Sequence, residues 1–414
     1  MNCGLLGRKL AHSYSPQIHN QLGDYRYQLF EVEPDDLENF LKSGSFDGIN
    51  VTIPYKKDVM AHCHQLSDVA AKVGAVNTIV CRNGKLIGHN TDYFGFRSMV
   101  LHSGLVLEDK KVLVLGTGGA SVTAQLVLQE MGADVVVISR RGENNYSNLD
   151  KHKDARAIVN CTPVGMYPDN GLSPVDLELF PVLEGVLDLV YNPAKTQLLL
   201  DAQDRGIVAE NGLWMLVAQA KESAEWFTGK AIDDDVIASI HTSLSRQMKN
   251  IVLVGMPGCG KSTVAKLLGE ALDREVLDAD AVLTEKAGCS IPHIFANHGE
   301  DAFRKLETQV LKELGKLSSK VIATGGGCVT RPENFNTMRQ NATVVWLQRS
   351  LSALDTAGRP LSQKTKAEDM YKVREPLYKA FSDFCISNDS TPEQAAQAIL
   401  EWLRQGDTYE DFGY

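Results

Sequence analysis

Residues 255–262 read Gly255-Met256-Pro257-Gly258-Cys259-Gly260-Lys261-Ser262, which meets every fixed position of G-x-x-x-x-G-K-[ST]. Such a segment cradles phosphate. Its glycines let backbone N–H groups turn inward around phosphate oxygens, and the helix that follows adds the positive end of its dipole. The lysine reaches the β- and γ-phosphates, and the hydroxyl ligates Mg²⁺. ATP contacts are therefore expected from Gly258, Cys259, Gly260, Lys261, Ser262 and Thr263, with Ser262 on the metal. Behind the loop come more polar groups: Asp278 and Asp280 at the end of an apolar run, Arg304 within residues 299–307, and Gly325, Gly326 and Gly327 after another apolar run. Arg359 and Arg374 flank a polar stretch that reads as a lid. Phosphoryl transfer needs placed cations more than covalent chemistry, and the guanidinium fork fits planar carboxylates. Taken singly, each arginine has the plainer alternative of a surface ion pair.

A second glycine-rich loop, Gly116-Thr117-Gly118-Gly119-Ala120, follows the apolar run 111–115 and opens a segment of helical period. Its G-x-G-G-A departs from the usual dinucleotide fingerprint, but the strand-turn-helix context is that of a nucleotide-binding βαβ unit. An NAD site places Asp or Glu after the next strand for the ribose 2′-hydroxyl. This chain has Ser139, Arg140 and Arg141 there. A carboxylate would repel a 2′-phosphate whereas guanidinium groups attract it, so NADPH is expected over NADH. A solvated turn is the plain alternative for the two arginines. Polar clusters without a packing role stand at Ser13-Tyr14-Ser15-Pro16, where two hydroxyls share one side of a segment read as extended, and at 50–56, ending in Lys56. Others lie at 74–78, around Asn77, at 88–92, ending in Asp92, and at 160–166, with Tyr191 and Gln219 further on.

The elements that must position these groups read as α/β layers. Residues 25–33 and 46–54 form strands, with a helix over 34–44 begun by Pro34 and stopped by Gly44. Residues 110–140 form a βαβ unit, 157–162 and 185–191 are buried strands, and 211–227 has helical spacing and returns towards the first region. The stretch 241–249 is polar and aperiodic and is expected to be a linker, with a new strand starting at Asn250. A chain of 414 residues suits two or three cores. A formal net charge of -10 speaks against a nucleic-acid partner. No apolar run reaches the ~18 residues of a membrane span, and the first residues lack the apolar core of a signal peptide. The eight scattered cysteines suggest a reducing cytoplasm rather than a disulfide framework. His62, Cys63 and His64 are adjacent, so their side chains diverge along a solvated helix face, and no second cluster completes a metal site.

From Asn250 to about Arg404, the phosphate loop, the Asp278/Asp280 pair, Arg304, the three glycines, Arg359 and Arg374 resemble, in order and spacing, the shikimate kinase family. The polar clusters of residues 1 to about 240 resemble, as an ordered series, the shikimate dehydrogenase family. The two resemblances imply a two-domain α/β dehydrogenase followed by a P-loop α/β kinase. Residues 1–100 would bind substrate, with return helices from about 212–240, 101–211 would form a Rossmann domain for NADP(H), and 250–406 the kinase. NADPH would reduce 3-dehydroshikimate to shikimate, and ATP with Mg²⁺ would phosphorylate shikimate at its 3-hydroxyl. The dehydrogenase resemblance assigns Ser13, Ser15, Thr52, Asn77, Asp92, Tyr191 and Gln219 to substrate and Lys56 with Asp92 to proton transfer. The kinase resemblance assigns Asp280, Arg304, Gly325, Gly326, Gly327 and Arg374 to shikimate, Arg359 to the transferring phosphoryl group, and Asp278 to Mg²⁺ through water. Lys9 and His89 depart from the dehydrogenase pattern, and the segment around Arg359 leaves the lid's length open. Rival readings are an NAD-dependent quinate/shikimate dehydrogenase fused to another small-molecule kinase, and a ligand-sensing regulator without chemistry. The sequence implies no particular oligomeric state.

Overall fold

Apolar runs bounded by glycine and polar residues become strands of three separate sheets. The computed structural model describes residues 1–10, 13–354 and 367–405. Arg359 lies outside the described residues. The chain divides into two compact units, one of Met1–Tyr191 with Thr196–Leu244 and the other of Asn192–Lys195 with the chain from Ser245 onward.

The first unit holds two sheets. One is mixed and contains β1 (Asn2–Gly7), β2 (Arg26–Glu31), β3 (Gly48–Val51), β4 (Gln65–Leu66), β5 (Thr78–Arg82) and β6 (Lys85–His89), in the order β2-β1-β3-β5-β6-β4. β1 pairs in parallel with β2 and β3, whereas β5 runs antiparallel to β3 and β6. The helix Leu213–Thr228 returns onto this sheet. Its Phe227 ring fills the space a side chain at Gly48 would need, and Asn50 Nδ2 donates to its Ser223 Oγ at 2.7 Å.

The other sheet of this unit is wholly parallel: β7 (Lys111–Leu115), β8 (Asp134–Ile138), β9 (Ala157–Asn160), β10 (Gly185–Asp188) and β11 (Val208–Asn211), in the order β11-β10-β9-β7-β8. The chain leaves β7 for β8 on one side and then crosses to β9 on the other. The strand order reverses between β7 and β9, where open parallel sheets bind ligands beyond their carboxyl ends.

The second unit is built on β12 (Asn250–Val254), β13 (Val276–Asp278), β14 (Val321–Ala323), β15 (Ala342–Gln348) and β16 (Phe384–Ser387). All pairings are parallel, in the order β13-β14-β12-β15-β16. β12 is central and fully buried, as an apolar strand must be when helices cover both faces.

Three local expectations are corrected. Residues 241–249 are not aperiodic: the helix Asp235–Met248 runs through them, the division between the two units falls within it after Leu244, and β12 starts two residues later. Ile237, Ile240, Leu244 and Met248, spaced three and four apart, are its buried stripe, and polar residues between them hide the period. Ser13 and Ser15 do not share an extended segment. Tyr14 is already in the α conformation and Ser15 opens the helix Ser15–His19, with Pro16 in the first turn, where its missing N–H costs nothing. His62, Cys63 and His64 do not line one helix face. His62 ends a 3₁₀ turn, Cys63 Sγ donates to Val59 O, and His64 Nδ1 accepts from Leu86 N at 3.1 Å.

Candidate active sites

Beside the first sheet lies a cavity of about 390 Å³. Lys56 comes from the turn after β3, and Asp92 is the first residue of the helix Asp92–His102, where a carboxylate meets the positive end of the dipole. Lys56 Nζ lies 2.5 Å from Asp92 Oδ2, with the side chains 31% and 16% exposed. The pair is thus half-shielded from water and open to the cavity. Ser13, Ser15, Thr52, Asn77, Tyr191 and Gln219 line the same space, and Ala120 brings the glycine-rich loop to its edge. Gln219 is held by donating Nε2 to Leu216 O, and Tyr191 packs edge-on to Tyr14. Burial raises the Tyr191 phenol above its ordinary value.

Behind the pair runs a buried polar network that joins the clusters 50–56, 74–78 and 88–92, which the sequence reading took as separate and without a packing role. Asn77 Oδ1 accepts from Thr91 N at 2.7 Å, and its Nδ2 donates to Thr91 Oγ1, which fixes the residue just before Asp92. Thr78, Thr91 and Ser223 hydroxyls lie 2.9–3.2 Å apart. Asn50 joins them, bonds Thr78 and Ser223, accepts from Tyr27 OH at 2.8 Å, and itself reaches the cavity. Asn50 and Ser223 are 173 residues apart, so no local pattern announces the cluster.

At the carboxyl end of β7, Gly116 has φ 104°, which favours glycine, and a Cβ there would press on Thr162 at 3.0 Å. A Cβ at Gly118 or Gly119 would meet nothing within 4 Å. The outer face of the loop is therefore open above the start of the helix Gly119–Glu130, and a pyrophosphate fits there. Ser139, Arg140 and Arg141 leave the adjacent β8 at the same edge, Ser139 half-buried and both arginines exposed. Asn160 ties the ends of β9 and β10 together by donating to Asp188 Oδ1 at 2.9 Å. Burial raises that carboxyl to about 6.

In the second unit a cavity of about 400 Å³ opens at the carboxyl ends of the strands. Gly258, Gly260, Lys261, Ser262 and Thr263 border it on one side, and Asp280, Arg304, Gly325, Gly326, Gly327 and Arg374 on the other. Gly260 has φ 97°, and a Cβ there would lie 2.4 Å from Asn388 Nδ2, so backbone alone fits at the base of the loop. Ser262 Oγ donates to Asp278 Oδ2 at 2.6 Å. A hydroxyl and a carboxylate meeting at the mouth of a phosphate loop are the oxygen donors Mg²⁺ takes. Cys259 is the exception to the expected set. Its side chain is fully buried and its N–H donates back to Met256 O, so the loop consumes that donor.

Arg304 sits in the long helix Ile291–Leu314 just past Gly299, where the backbone breaks helical geometry. Its guanidinium donates to Glu307 at 2.7 Å and to Glu300 at 3.3 Å, and it is 5% exposed. Burial disfavours its charge, but Glu307 outweighs this and holds its pKa up. Burial likewise raises the Glu307 carboxyl, against Arg304. A Cβ on Gly327 would fall 2.2 Å from Arg304 Nη2, and one on Gly325 would lie 2.6 Å from Glu307 Oε1 and 2.9 Å from Asp280 Oδ1. The glycine turn therefore seats directly against these three side chains. Arg374 and Tyr378 both donate to Gly326 O and hold the turn from the far side. Glu307, Thr324 and Arg349 also line the cavity and were not singled out in the sequence. A carboxylate one helical turn beyond Arg304 is the signal that could have found Glu307.

A model of the shikimate dehydrogenase substrate binding domain matches residues 5–79, and a shikimate kinase model matches residues 257–404. Shikimate dehydrogenase (NADP(+)) of Clostridium beijerinckii is 34% identical over 266 residues, covering 59% of this chain and 98% of its own length. Shikimate dehydrogenase 1 from Peptoclostridium difficile is a similar solved structure, 36% identical with a TM-score of 0.55, covering 59% of this chain and 97% of its own. Shikimate 5-dehydrogenase from Thermus thermophilus, in complex with NADP(H) and shikimate, is 32% identical with a TM-score of 0.55, covering 59% of this chain and 99% of its own.

Proposed function

Because the chain belongs to the shikimate dehydrogenase family and carries a shikimate kinase domain behind it, an NADP-, ATP- and Mg²⁺-dependent bifunctional enzyme of the shikimate pathway, we propose that it catalyses two consecutive steps. In the first, 3-dehydroshikimate is reduced to shikimate. In the second, shikimate is phosphorylated at its 3-hydroxyl. The observation that carries this reading is the pairing of two cavities on one chain, one holding an ammonium-carboxylate pair and the other a phosphate loop facing buried arginines.

In the first cavity NADPH supplies the hydride, and the chain must manage the proton. Lys56, 2.5 Å from Asp92, polarises the ketone oxygen and delivers a proton as the alkoxide forms, while Asp92 keeps the ammonium aimed. The hydroxyls of Ser13, Ser15 and Thr52 bind the carboxylate and hydroxyls of the substrate, with Asn77, Tyr191 and Gln219 completing the fit. Gly116, Gly118, Gly119 and Ala120 take the pyrophosphate, and Ser139, Arg140 and Arg141 the 2′-phosphate.

In the second cavity Lys261 and the backbone of Gly258, Gly260, Ser262 and Thr263 hold the ATP phosphates, and Ser262 with Asp278 holds Mg²⁺. Asp280 accepts the proton of the attacking hydroxyl. Arg304 and Arg374 clamp the substrate carboxylate against the turn 325–327, and Arg359 is assigned to the phosphoryl group. On this reading residues 1–100 with the return helices from about 212–240 form the substrate-binding part, 101–211 the NADP part, and 250–406 the kinase.

The test gives the purified chain 3-dehydroshikimate, NADPH, ATP and Mg²⁺. Shikimate 3-phosphate, formed with one NADPH and one ATP consumed per turnover, is the expected product. Faster turnover with NADH than NADPH, or phosphate appearing on another acceptor, would overturn the reading.

A further inference from the structure

Four cations line the second cavity among the described residues, and three are committed to protein partners. Lys261 Nζ donates to Gly255 O at 2.9 Å and Met256 O at 3.0 Å, Arg304 to Glu307 and Glu300, and Arg374 to Gly326 O at 3.1 Å. The fourth, Arg349, makes no hydrogen bond or ion pair among the described residues, and its Nε is buried without a partner. Buried N–H donors are nearly always satisfied, so an unsatisfied one at a cavity wall marks a place for an acceptor. Asp389 is the nearby acid whose carboxylate feels the Arg349 charge, but its hydrogen bonds are to Ser350 N at 2.6 Å and Ser387 Oγ at 3.0 Å and none is to Arg349.

The position of Arg349 says which acceptor. It is the first residue past β15, the parallel neighbour of β12. Leu347 O is the atom a Cβ on Gly255 would strike at 2.3 Å, and Gln348 O accepts from Asn388 N, whose side chain donates to Cys259 O at 2.8 Å. The backbone leading to Arg349 is thus braced against the phosphate loop. In the strand order β13-β14-β12-β15-β16, Asp280, Arg304 and the turn 325–327 come after β13 and β14, on one side of the loop, whereas Arg349 directly follows β15, on the other; Arg374 reaches the turn from the later helix Ala367–Phe381.

We propose that Arg349 binds the β- and γ-phosphate oxygens of the nucleoside triphosphate, as a cation mounted on the sheet rather than on the lid. The proposal rests on reading this cavity as the kinase site. Its guanidinium meets the charge that builds on the departing diphosphate as the bond from the bridging oxygen to the γ-phosphorus breaks and the acceptor oxygen bonds that phosphorus. The donor set suits it, since Arg makes two parallel, charge-assisted bonds to phosphate where Lys makes a point contact.

The test uses Arg349→Gln and Arg349→Lys in the full chain, with shikimate kinase kinetics and calorimetric binding of AMP, ADP and a non-hydrolysable ATP analogue. We expect kcat/KM for ATP to fall about tenfold or more in the Gln variant, the Lys variant to lie between, and KM for shikimate to move less than about twofold. The binding loss should grow from AMP to ADP to the triphosphate. Equal losses for all three nucleotides, a change confined to shikimate KM, or no change would each overturn the proposal. If the Gln variant fails to fold, the Lys variant carries the same comparison. If the wild-type chain phosphorylates no shikimate, the kinase reading fails, while the nucleotide series still decides the role of Arg349.

Discussion

At the scale of single residues, the two chemistries can be separated by one lysine each. Lys56→Ala removes the proton donor from the first cavity, and ketone reduction should fall by about 10²–10⁴ with phosphorylation kept. Lys261→Ala should do the reverse. Measuring both half-reactions on each variant checks this, and loss of both activities in a folded variant would refute separate sites. Gly327→Ala makes a third prediction. Its Cβ would overlap the Arg304 guanidinium at 2.2 Å, so KM for shikimate should rise several-fold while nucleotide affinity stays, as isothermal titration with each ligand would report. Lys261 was legible because it stands in a short motif whose spacing is itself the signal, whereas Lys56, Asp92 and Asp280, which line the two cavities, were singled out only through the ordered series of clusters that carries the two family resemblances. The hydroxyl cluster behind Lys56 was not legible, because Asn50, Thr78, Thr91 and Ser223 are brought together only by tertiary packing, and polar residues look alike in sequence whether they are buried or wet. Arg349 was illegible for the same reason: a lone arginine after a strand gains meaning only from the loop beside it.

At the scale of elements, strong periodicity was read correctly and weak periodicity was not. The βαβ unit, β12 and the helix following the phosphate loop are long or flanked by glycine and announce themselves. The hairpin between β5 and β6 turns on Asn83 and Gly84, both at positive φ, with Arg82 opposite Lys85. An Asn-Gly pair of this kind is a strong turn signal, yet the sequence reading placed no strands around it. The helix Asp235–Met248 is the other lesson, since a narrow apolar stripe with polar residues between reads as a linker. Its packing makes a prediction. Leu244→Ala, at a site 2% exposed, should cost about 2–5 kcal/mol, whereas the exposed Gln247→Ala should stay within about 0.5 kcal/mol. A linker would tolerate both, so equal thermal midpoints for the two variants would argue against a packed helix.

At the scale of the whole molecule, folding is coupled to pH through groups whose burial opposes their charge, and these groups pull in opposite directions. Burial lowers His19 to about 3 and, with the Arg82 charge, His89 to about 4, while it raises Asp188 to about 6 and Glu210 to about 7. The unfolded chain protonates the histidines near 6.5 whereas the folded chain does not, so their contribution is complete above pH 6.5 and is lost as pH falls towards the folded values. The two acids do the opposite, because the folded chain takes up their protons at higher pH than the unfolded one. The raw pH profile of the chain mixes the two signs, and a difference measurement separates them. His19 stacks on Tyr27 at 3.9 Å and meets Tyr25 OH through Nδ1 at 2.6 Å, with Nε2 buried and unpartnered. His19→Phe keeps a stacking ring and removes the titration, so it is less stable than wild type at pH 7 by the lost hydrogen bond. Between pH 7 and pH 5 the wild type alone loses about 2 kcal/mol at this site, 1.5 pH units below 6.5 at about 1.4 kcal/mol each. The stability gap should therefore close by that amount on acidification, read from urea unfolding of the first unit followed by tryptophan fluorescence. A gap that stays constant with pH would mean that His19 takes a proton in the folded state as readily as in the unfolded one.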